Sequence, residues 1–395
     1  MEIERIEKIP VEYHIEKEGW SRNVESKKYD FWPATLPGVI IKLHVSGGLC
    51  GVGEAVTQYW YLGSTLEHVY RALSMFEVAL KGKDPRNLEK IHKIMESNLG
   101  RGAPGVQPAK DGLNMALYDV LGKHYGEPAY NLLGGAHQTS FQLMTNLYLG
   151  TPETMAKRAK EYADRGYSLK IKCGMDIEEK GWSLATAKKD VRKLTLTLES
   201  VPDTIYVDAD SNQSWGTAKR TITIVKSNNL EKYSNLAIEQ PVQYADLEGA
   251  SRIAAAISLP VVLDESIYSP EVLIEAIRKN AADRIVIKPT RVGGLYTTRK
   301  MISIAEAAGV NVSIDSTPFS KIGDTAVCHV AATIREPYPL DVETHTWLKE
   351  NSVKSGGLVL DGDIAKIDSK PGLGIELNED VIESIRLKNI DGIFR

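Results

Sequence analysis

The chain has 395 residues, of which 43% are hydrophobic and 25% charged, and its formal net charge is −4 at pH 7. This mild acidity gives no electrostatic basis for binding nucleic acid or an anionic membrane surface, and no apolar run is long enough to span a bilayer. The length favours one large barrel with a smaller domain. Cys50, Cys173 and Cys328 are widely spaced and odd in number, which predicts neither a disulfide framework nor a metal cluster and favours a reducing cytoplasm.

The first 135 residues predict an α+β domain. Residues 1 to about 60 contain the β-rich runs VEYHIE and VIIKLHVSGGLCGVGEAV, and the Gly47-Gly48 pair in the second predicts a hairpin. Between them, EKEGWSRNVESKKYDFWPATLP has no clear period, and a loop of that length in a compact domain is usually functional or disordered. From 65 to 130 the pattern is helical, in LEHVYRALSMFEVAL, LEKIHKIMESNL and GLNMALYDVLGKHYG.

After Gly134-Gly135, short apolar runs alternate with helical patterns. The candidate strands are FQLMTNLYL, SLKIKC, IYVDAD, LAIEQP, LPVVLDES, RIVIKP, NVSIDS and YPLDVE. Their polar ends recur at intervals typical of βα units, which predicts a (β/α)8-type barrel over residues 136–370. We expect residues 371–395, which are too few to form a domain, to pack back on the N-terminal domain.

Three carboxylates end consecutive candidate strands: Asp210, Glu239 and Asp264. Strand ends converge on the active-site face of such a barrel, where three unpaired carboxylates would repel one another. A hard divalent cation resolves that conflict, because carboxylate oxygens together with water or substrate suit octahedral Mg²⁺. The alternative, three independent surface or ion-pair residues, is disfavoured by their shared position on neighbouring strands.

Lysines flank these carboxylates. Lys170 and Lys172 lie two apart in SLKIKC, so their side chains share one face of the strand; taken alone, this stretch fits a solvated edge strand equally well. Lys288 ends the sixth strand, roughly opposite the second strand, so a central substrate would have Lys172 on one face and Lys288 on the other. We expect mutual repulsion and the cation to lower a lysine pKa, as a general base requires.

Together these motifs resemble the enolase superfamily, and within it the muconate-lactonizing-enzyme subgroup of the mandelate racemase/muconate lactonizing enzyme family. KIK is similar to the family's Lys-x-Lys, DSNQSW to its metal-ligand Asp followed by Asn-Gln-x-Trp, IEQP and LDES to the next ligand strands, and IVIKPTRVGG to its sixth-strand lysine motif. Outside the barrel, GVGEA, GLNMALYDVLGK, YNLLGG and PGLGIEL are also family-like. The motif register favours Asp210 over Asp208 as the ligand and places Asp208 one layer deeper.

The resemblance implies one Mg²⁺ per active site, held by Asp210, Glu239 and Asp264. It also implies abstraction of the proton α to a carboxylate through a stabilised enediolate, as is usual for enolase-superfamily sites. The catalytic residues would be Lys172, Lys288 and Lys170. The first domain would cap the barrel and supply specificity loops. The partner would be a small-molecule carboxylate, with no nucleic acid or membrane partner, and the chain would form a homo-oligomer.

Histidine content bears on the subgroup. The seventh strand reads NVSIDSTPFS, and its lack of a histidine base disfavours the mandelate-racemase subgroup. His345, just past the eighth strand, is isolated and is more typical of a loop or packing residue.

Further acidic residues bear on the substrate. Asp315 ends the seventh strand, and Asp341 and Glu343 follow on the eighth; such a lining favours a cationic substrate group, such as an ammonium. DVE resembles the Asp-x-Asp of amino-acid-derived epimerases, and Asp315 is compatible with betaine epimerases. Aromatic candidates for holding the cation are Trp20, Phe31, Trp32, Tyr59, Trp60 and Tyr61. The alternatives are structural ion pairing for the acids and ordinary packing for the aromatic residues.

Two lysines on opposite faces fit racemisation or epimerisation, in which one lysine removes a proton and the other returns one. We therefore expect a racemase or epimerase of an N-cationic acid, such as an amino-acid derivative, a proline betaine or a dipeptide. If one lysine is idle or acts as an electrostatic clamp, the same frame serves a dehydratase of a hydroxy acid or hydroxyproline, or a cycloisomerase of a muconate-like acid. A barrel retained only for binding is disfavoured by the complete catalytic set.

Overall fold

The chain was analysed as a computed structural model, which describes residues 1–16, 35–57, 62–98, 106–147, 150–174, 177 and 180–388. It begins with a three-stranded antiparallel sheet in the order β1-β2-β3. The strands are β1 (Ile3–His14), β2 (Thr35–Val45) and β3 (Cys50–Val56). Gly47 and Gly48 have positive φ in the turn between β2 and β3, so the predicted hairpin is present.

Helices cover one face of this sheet: α1 (Leu66–Leu80), α2 (Leu88–Asn98), α3 (Gln107–Tyr125) and α4 (Ala129–Leu132). The helix α3 lies directly on β3. A Cβ atom added at Gly51 or Gly53 would lie 2.0 Å from a carbonyl oxygen of α3, so only glycine permits this close approach. The GVG motif of β3 and the GLNMALYD motif of α3 therefore pack directly against each other.

Seven parallel strands form the barrel, in the order β11-β10-β9-β8-β7-β6-β5. After the short β4 (Ser140–Gln142), they are β5 (Met144–Leu147), β6 (Ser168–Lys172), β7 (Val207–Asp210), β8 (Leu236–Glu239), β9 (Val261–Leu263), β10 (Arg284–Ile287) and β11 (Asn311–Ile314). The predicted eighth strand is reduced to two parallel bridges, Leu340 to Leu143 and Asp341 to Asp315. Pro339 directly precedes it and cannot donate to a ladder, which limits its length.

Helices connect the barrel strands: α5 (Pro152–Ala163), α6 (Leu184–Ser200), α7 (Ala218–Ser227), α8 (Leu247–Ala256), α9 (Pro270–Arg278), α10 (Pro289–Val292), α11 (Leu295–Ala307) and α12 (Lys321–Ala331). Several begin at a polar cap, such as Thr151, Ser183 or Ser269, whose side chain accepts a backbone N–H of the first turn. Outward-facing strand residues, such as Leu169 and Ile171, are buried in the main hydrophobic core with these helices.

The last described residues return to the start of the chain. The strands β12 (Val353–Gly356) and β15 (Ile375–Leu377) pair with each other, while β13 (Val359–Asp361) and β14 (Ile364–Lys366) extend from β4. After α13 (Glu379–Ser384), the backbone N–H of Leu387 donates to the carbonyl of Pro10 at 2.9 Å. No helix in the described part of the chain is both long and apolar enough to cross a bilayer.

Two buried carboxylates join the N-terminal sheet and helices to the C-terminal end of the barrel. Glu54 of β3 accepts hydrogen bonds from the backbone N–H groups of Ser320 and Gly323, where α12 begins. Burial raises the pKa of Glu54 to about 7. Asp111 of α3 accepts a hydrogen bond from the Thr290 hydroxyl, in the turn after β10, at 2.9 Å. These contacts fix the N-terminal residues over the barrel mouth.

Candidate active site

The C-terminal strand ends bring five of the predicted residues to one mouth. Lys172, Asp210 and Glu239 are ladder partners on β6, β7 and β8. Asp264 and Lys288 directly follow β9 and β10. Because the carboxyl ends of parallel strands meet at one end of a barrel, the regular spacing of these residues in the sequence reflects their common level in the fold.

Each of the three carboxylates is paired with a lysine ammonium. The pairs are Lys172–Asp210, Lys170–Glu239 at 3.1 Å and Lys288–Asp264 at 2.6 Å. The second oxygen of Asp264 accepts a hydrogen bond from Arg291 Nη2 at 2.7 Å. Burial alone would raise the pKa of Asp264, but the charges of Arg291 and Lys288 outweigh it and hold that pKa far below its usual range. Arg291 had no mark in the sequence analysis beyond its place in KPTRVGG.

Glu239 is the least satisfied of the three carboxylates. It is fully buried, and its Oε2 atom has no hydrogen-bond partner among the residues that the structure describes. Burial raises the pKa of Glu239; Lys170 opposes the shift, the nearby Asp210 and Asp208 add to it, and the result lies well above the ordinary value. A buried carboxylate oxygen without a donor, beside other carboxylates, is suited to a bound cation.

The donor set fits an oxygen-ligated divalent cation, although the side chains are not arranged around one. In the described ranges, no three His, Cys, Asp or Glu side chains are placed to hold a metal ion as they stand. The ammonium groups of Lys172 and Lys288 instead contact Asp210 and Asp264. The all-carboxylate donors and the unpartnered oxygen of Glu239 match the ligand preference of Mg²⁺.

Lys170 and Lys172 differ in their surroundings. The Lys170 side chain is 2% exposed and contacts both Asp315 and Glu239, whereas that of Lys172 is 15% exposed. Burial lowers the pKa of Lys170, but the charges of Asp315 and Glu239 raise it well above its ordinary value. The expectation of a lowered lysine pKa is therefore wrong for Lys170, because two touching carboxylates outweigh repulsion. Lys170 is suited to be a fixed positive charge.

Acidic residues line the mouth beside the eighth strand position. Asp341, bridged to Asp315, accepts a hydrogen bond from Asn146 Nδ2 at 2.6 Å, and its other oxygen has no partner. Burial raises the pKa of Asp341 to about 6. Glu343 accepts a hydrogen bond from the Thr145 hydroxyl at 2.7 Å, and burial raises its pKa to about 7. No sequence signal marked Asn146 or Thr145, because the pairing of β5 with the eighth strand is a tertiary contact.

The loops after β7 and β8 carry strained backbone. Asn212, Gln213 and Gln240 have positive φ, which is uncommon for residues other than glycine and clusters at functional sites. The Gln240 side chain accepts a hydrogen bond from the Asp264 backbone N–H at 2.9 Å. Lys172 Nζ donates to the Asn212 side chain at 3.2 Å. These residues belong to the SNQ and EQP segments, which the sequence analysis had singled out as family-like motifs.

The remaining candidates separate into two groups. The aromatic residues Trp20, Phe31, Trp32, Tyr59, Trp60 and Tyr61 lie outside the described residues. His345 is among the described residues, and its Nδ1 atom lies 2.7 Å from Oδ2 of the buried Asp324. This contact holds the ring against α12, as expected of a loop or packing residue.

Comparison with known families identifies this arrangement. The Mandelate racemase / muconate lactonizing enzyme N-terminal domain family matches residues 34–134, and the Enolase C-terminal domain-like family matches residues 154–381. The chain belongs to the enolase superfamily. Within it, the two matches place the chain in the mandelate racemase/muconate lactonizing enzyme family. The predicted family and the predicted barrel with an N-terminal α+β domain are thus confirmed.

Individual relatives align over most of the chain. The N-succinyl-L-Arg/Lys racemase of Bacillus cereus is 31% identical over 352 residues, covering 89% of this chain and 90% of that protein. Its crystal structure superimposes with a TM-score of 0.86, at 28% identity and 98% coverage of both chains. The cis-3-hydroxy-L-proline dehydratase of Roseibium aggregatum is 31% identical over 294 residues, covering 74% of this chain and 75% of that protein.

A third relative was crystallised with a metal and a ligand. The hydrophobic dipeptide epimerase of Enterococcus faecalis is 30% identical over 341 residues, covering 85% of this chain and 90% of that protein. The crystal structure of the Enterococcus faecalis dipeptide epimerase complexed with Mg and the dipeptide L-Leu-L-Tyr has a TM-score of 0.82, with 26% identity and coverage of 95% and 100% of the two chains.

Proposed function

We propose that this chain is a Mg²⁺-dependent racemase or epimerase that moves the proton α to a carboxylate between two lysines. The observation that carries the proposal is the placement of Lys172 on β6 and Lys288 after β10, four strand positions apart in the sheet order. In an eight-position barrel that separation places them on opposite sides of a central substrate. The similarity to a racemase and a dipeptide epimerase supports the same reaction class.

We assign the metal to Asp210, Glu239 and Asp264, with one Mg²⁺ per site. When bound, Mg²⁺ supplies positive charge beside the substrate carboxylate and so makes the α-proton more acidic. Binding at these oxygens requires Lys172 and Lys288 to leave Asp210 and Asp264, which frees both ammonium groups for the substrate. The epimerase complexed with Mg supports this choice of metal.

The lysines divide one transfer between them. The neutral amine of one lysine removes the α-proton from its face of the substrate, and the ammonium of the other donates a proton to the opposite face, so the configuration inverts. Lys170 takes no part in this exchange, because its buried ammonium is held against Asp315 and Glu239. Its fixed charge stabilises negative charge that develops on the substrate carboxylate.

We infer an N-cationic substrate, such as a dipeptide or another amino-acid derivative, from the acids beside the eighth strand. Asp341 has an unpartnered oxygen and Glu343 lies two residues further on, so both offer acceptors to an ammonium. Asp315 is less suited to that role, because Lys170 already contacts it. This weighs against a betaine held by Asp315 and favours a primary ammonium held by Asp341 and Glu343.

The test is α-proton exchange in D₂O with Mg²⁺, followed by NMR. The panel holds dipeptides, N-succinyl-arginine, free hydroxyprolines, proline betaines and sugar acids. We expect exchange with inversion for a dipeptide or another N-cationic member. N-succinyl-arginine carries a succinyl carboxylate where a dipeptide carries its N-terminal ammonium. Inversion confined to N-succinyl-arginine would therefore contradict the N-cationic assignment and move the acidic contacts to the substrate's side chain.

Single lysine variants test the two-base assignment. Lys172→Ala and Lys288→Ala should each abolish inversion and leave Mg²⁺ binding intact. Each variant should still exchange the α-proton of one enantiomer, the one that faces the remaining lysine, and the two variants should act on opposite enantiomers. Full activity in both variants would show that neither lysine is a base.

A dehydratase is the second candidate, because the chain resembles the cis-3-hydroxy-L-proline dehydratase as closely as it resembles the racemase in percentage identity. On that assignment, one lysine removes the α-proton and water leaves from the adjacent carbon. Loss of water from a hydroxyproline without inversion, in the same panel, would establish it.

A further inference from the structure

Two charged residues of α6 hold the backbone that follows Lys172. The strand β6 ends at Lys172, and the chain then turns at Gly174, whose φ is +84°. Lys193 Nζ donates to the carbonyl oxygen of Lys172 at 2.8 Å, and Asp190 Oδ2 accepts a hydrogen bond from the Gly174 N–H at 2.8 Å. Backbone groups that the strand ladder leaves unpaired are thereby satisfied by charged partners.

Asp190 and Lys193 form a buried pair. Asp190 is 2% exposed and Lys193 is 7% exposed, and Lys193 Nζ lies 3.6 Å from Asp190 Oδ1. Desolvating two charges often costs as much free energy as their attraction returns, and apolar side chains of similar volume stabilise such a position as well. A contribution to stability is therefore a weak explanation for this buried pair. Its hydrogen bonds, in contrast, match the one carbonyl and the one N–H group that the turn after Lys172 presents.

The pair also reaches the loop after β7. The indole Nε1 of Trp215 donates to Asp190 Oδ2 at 3.1 Å. Trp215 ends the DSNQSW segment that begins with Asp210, and it is fully buried. The backbone N–H of Cys173 donates to the carbonyl of Asp210 at 2.7 Å. The turn after Lys172 is therefore fixed relative to the neighbouring strand end.

Lys288 is held in another way. Its carbonyl oxygen accepts hydrogen bonds from the N–H groups of Arg291 at 2.9 Å and Val292 at 3.2 Å, because the helical turn α10 begins directly after it. The main chain of Lys288 is thus fixed by its own next residues. The main chain of Lys172 and Gly174 is held instead by the side chains of Lys193 and Asp190, which come later in the sequence.

We propose that Asp190 and Lys193 are positioning residues that aim Lys172 at one face of the substrate. The inference rests on the proposed two-lysine function. A lysine that is misplaced by about 1 Å loses proton transfer steeply, since such errors cost on the order of 100-fold in rate. Lys193 contacts the main chain of Lys172, and Asp190 contacts that of Gly174 two residues on, whereas the described partners of the Lys288 carbonyl are Arg291 and Val292. Its loss should therefore slow proton transfer on one face only.

The test is the rate of α-proton loss into D₂O, measured separately for each enantiomer at saturating Mg²⁺. Lys193→Met keeps the length of the side chain but removes the donor to the Lys172 carbonyl. We expect the enantiomer that Lys172 deprotonates, identified from Lys172→Ala, to lose its proton about 10- to 100-fold more slowly. The other enantiomer should change by less than about twofold, and KM should hold while kcat falls.

Further variants separate positioning from folding. Lys193→Arg should restore a donor and much of the lost rate. Asp190→Asn, which keeps an acceptor for Gly174, should give a milder slowing on the same face and serves if Lys193→Met does not fold. Arg192→Met changes the neighbouring side chain on the same helix, which is exposed and paired with Glu153, and should leave both rates unchanged.

The outcomes distinguish this inference from the proposed function. Equal slowing of both enantiomers by Lys193→Met, or slowing of neither, would overturn the positioning role while the two-lysine reaction stands. Failure of the proposed function would appear as no α-proton exchange in the unaltered enzyme, or as exchange that Lys172→Ala and Lys288→Ala reduce equally for both enantiomers.

Discussion

Both ends of the barrel contain buried acidic and basic side chains, but these are paired differently at the two ends. At the N-terminal end, Asp208 and Arg284 form an ion pair with both side chains 2% exposed. The guanidinium contacts the rings of Tyr206 and Tyr338, at 4.9 and 4.4 Å from their centroids. The Tyr206 hydroxyl donates to Asp208 at 2.8 Å. One acid meets one base here, and two aromatic rings contact the guanidinium.

At the C-terminal mouth the charges are crowded and incompletely paired. Glu239 and Asp341 each keep a buried oxygen without a partner, and burial raises the pKa of Glu343 to about 7. Of the lysines that pair there, Lys172 and Lys288 are partly exposed, at 15% and 13%, whereas Lys170 is 2% exposed. At the closed end the buried charges are thus paired with each other, although Arg284 Nε and Nη1 have no hydrogen-bond partner among the described residues. At the mouth the unpartnered atoms are carboxylate oxygens, which suit a cation and a charged substrate.

Isosteric neutralisation of one acid at each end gives the largest expected contrast. Asp208→Asn should destabilise the protein by about 3 kcal/mol, because it leaves Arg284 buried without an opposite charge. Glu239→Gln should cost less than about 1 kcal/mol, because Lys170 keeps its contact with Asp315 and a carboxylate without enough donors is removed. Urea unfolding of the metal-free proteins at pH 7.5 measures both changes.

Two further measurements sharpen this contrast. Replacing both closed-end partners together, with Asp208→Leu and Arg284→Met, should return the free energy of unfolding to within about 1 kcal/mol of the original value. Titration calorimetry should show that Glu239→Gln loses Mg²⁺ binding and Asp208→Asn keeps it. Equal destabilisation by the two neutralising variants would show that the ends do not differ in this respect.

The pH dependence of stability provides the next contrast. In the folded state the pKa of Glu343 is raised from 4.5 to about 7, so the folded protein binds this proton more tightly than the unfolded chain. The stabilisation is fully present below the unfolded pKa and is lost as the pH rises through the folded pKa. Between pH 5 and 7.5 the metal-free protein should lose roughly 2 kcal/mol through this group.

Glu343→Gln should reduce that slope by this amount, as measured by urea unfolding across the same pH range. Asp341 and Glu54, whose pKa values are raised to about 6 and about 7, should leave a residual slope. The closed end should add none, because Arg284 stays protonated throughout. An undiminished slope in Glu343→Gln would assign the pH dependence to other groups.

Residues at strand ends could be located from the sequence because the barrel repeats. Each βα unit returns the chain to the same level, so Asp210, Glu239, Asp264 and Lys288 fall at similar intervals. The deeper position of Asp208 follows from strand alternation. The partner of Asp208 does not follow, because Arg284 stands at the start of the RIVIKP strand, whereas the recurring intervals mark only the strand ends.

Contacts between distant strands set the electrostatics, and these could not be predicted. The pKa of Lys170 rises because β6 and β11 place Lys170 against Asp315, which is 145 residues away in sequence. Lys193 belongs to a helix with no recognisable motif, and its bond to the Lys172 carbonyl depends on how α6 packs. The position of the eighth strand was correctly predicted from its apolar residues. Its short length was not predicted, because the effect of Pro339 on strand pairing was not considered.

The smallest expected effect comes from an ion pair outside both ends. Lys157 and Glu161 lie one turn apart on α5 with an Nζ–Oε1 distance of 3.9 Å, and their side chains are 79% and 60% exposed. Water screens such a pair, so Glu161→Gln should change the free energy of unfolding by less than about 0.5 kcal/mol. Urea unfolding under the conditions used for Asp208→Asn measures it. If Glu161→Gln destabilised the protein as much as Asp208→Asn, burial would not explain the contribution of the Asp208–Arg284 pair to stability. The difference between the two ends of the barrel could then not be attributed to burial.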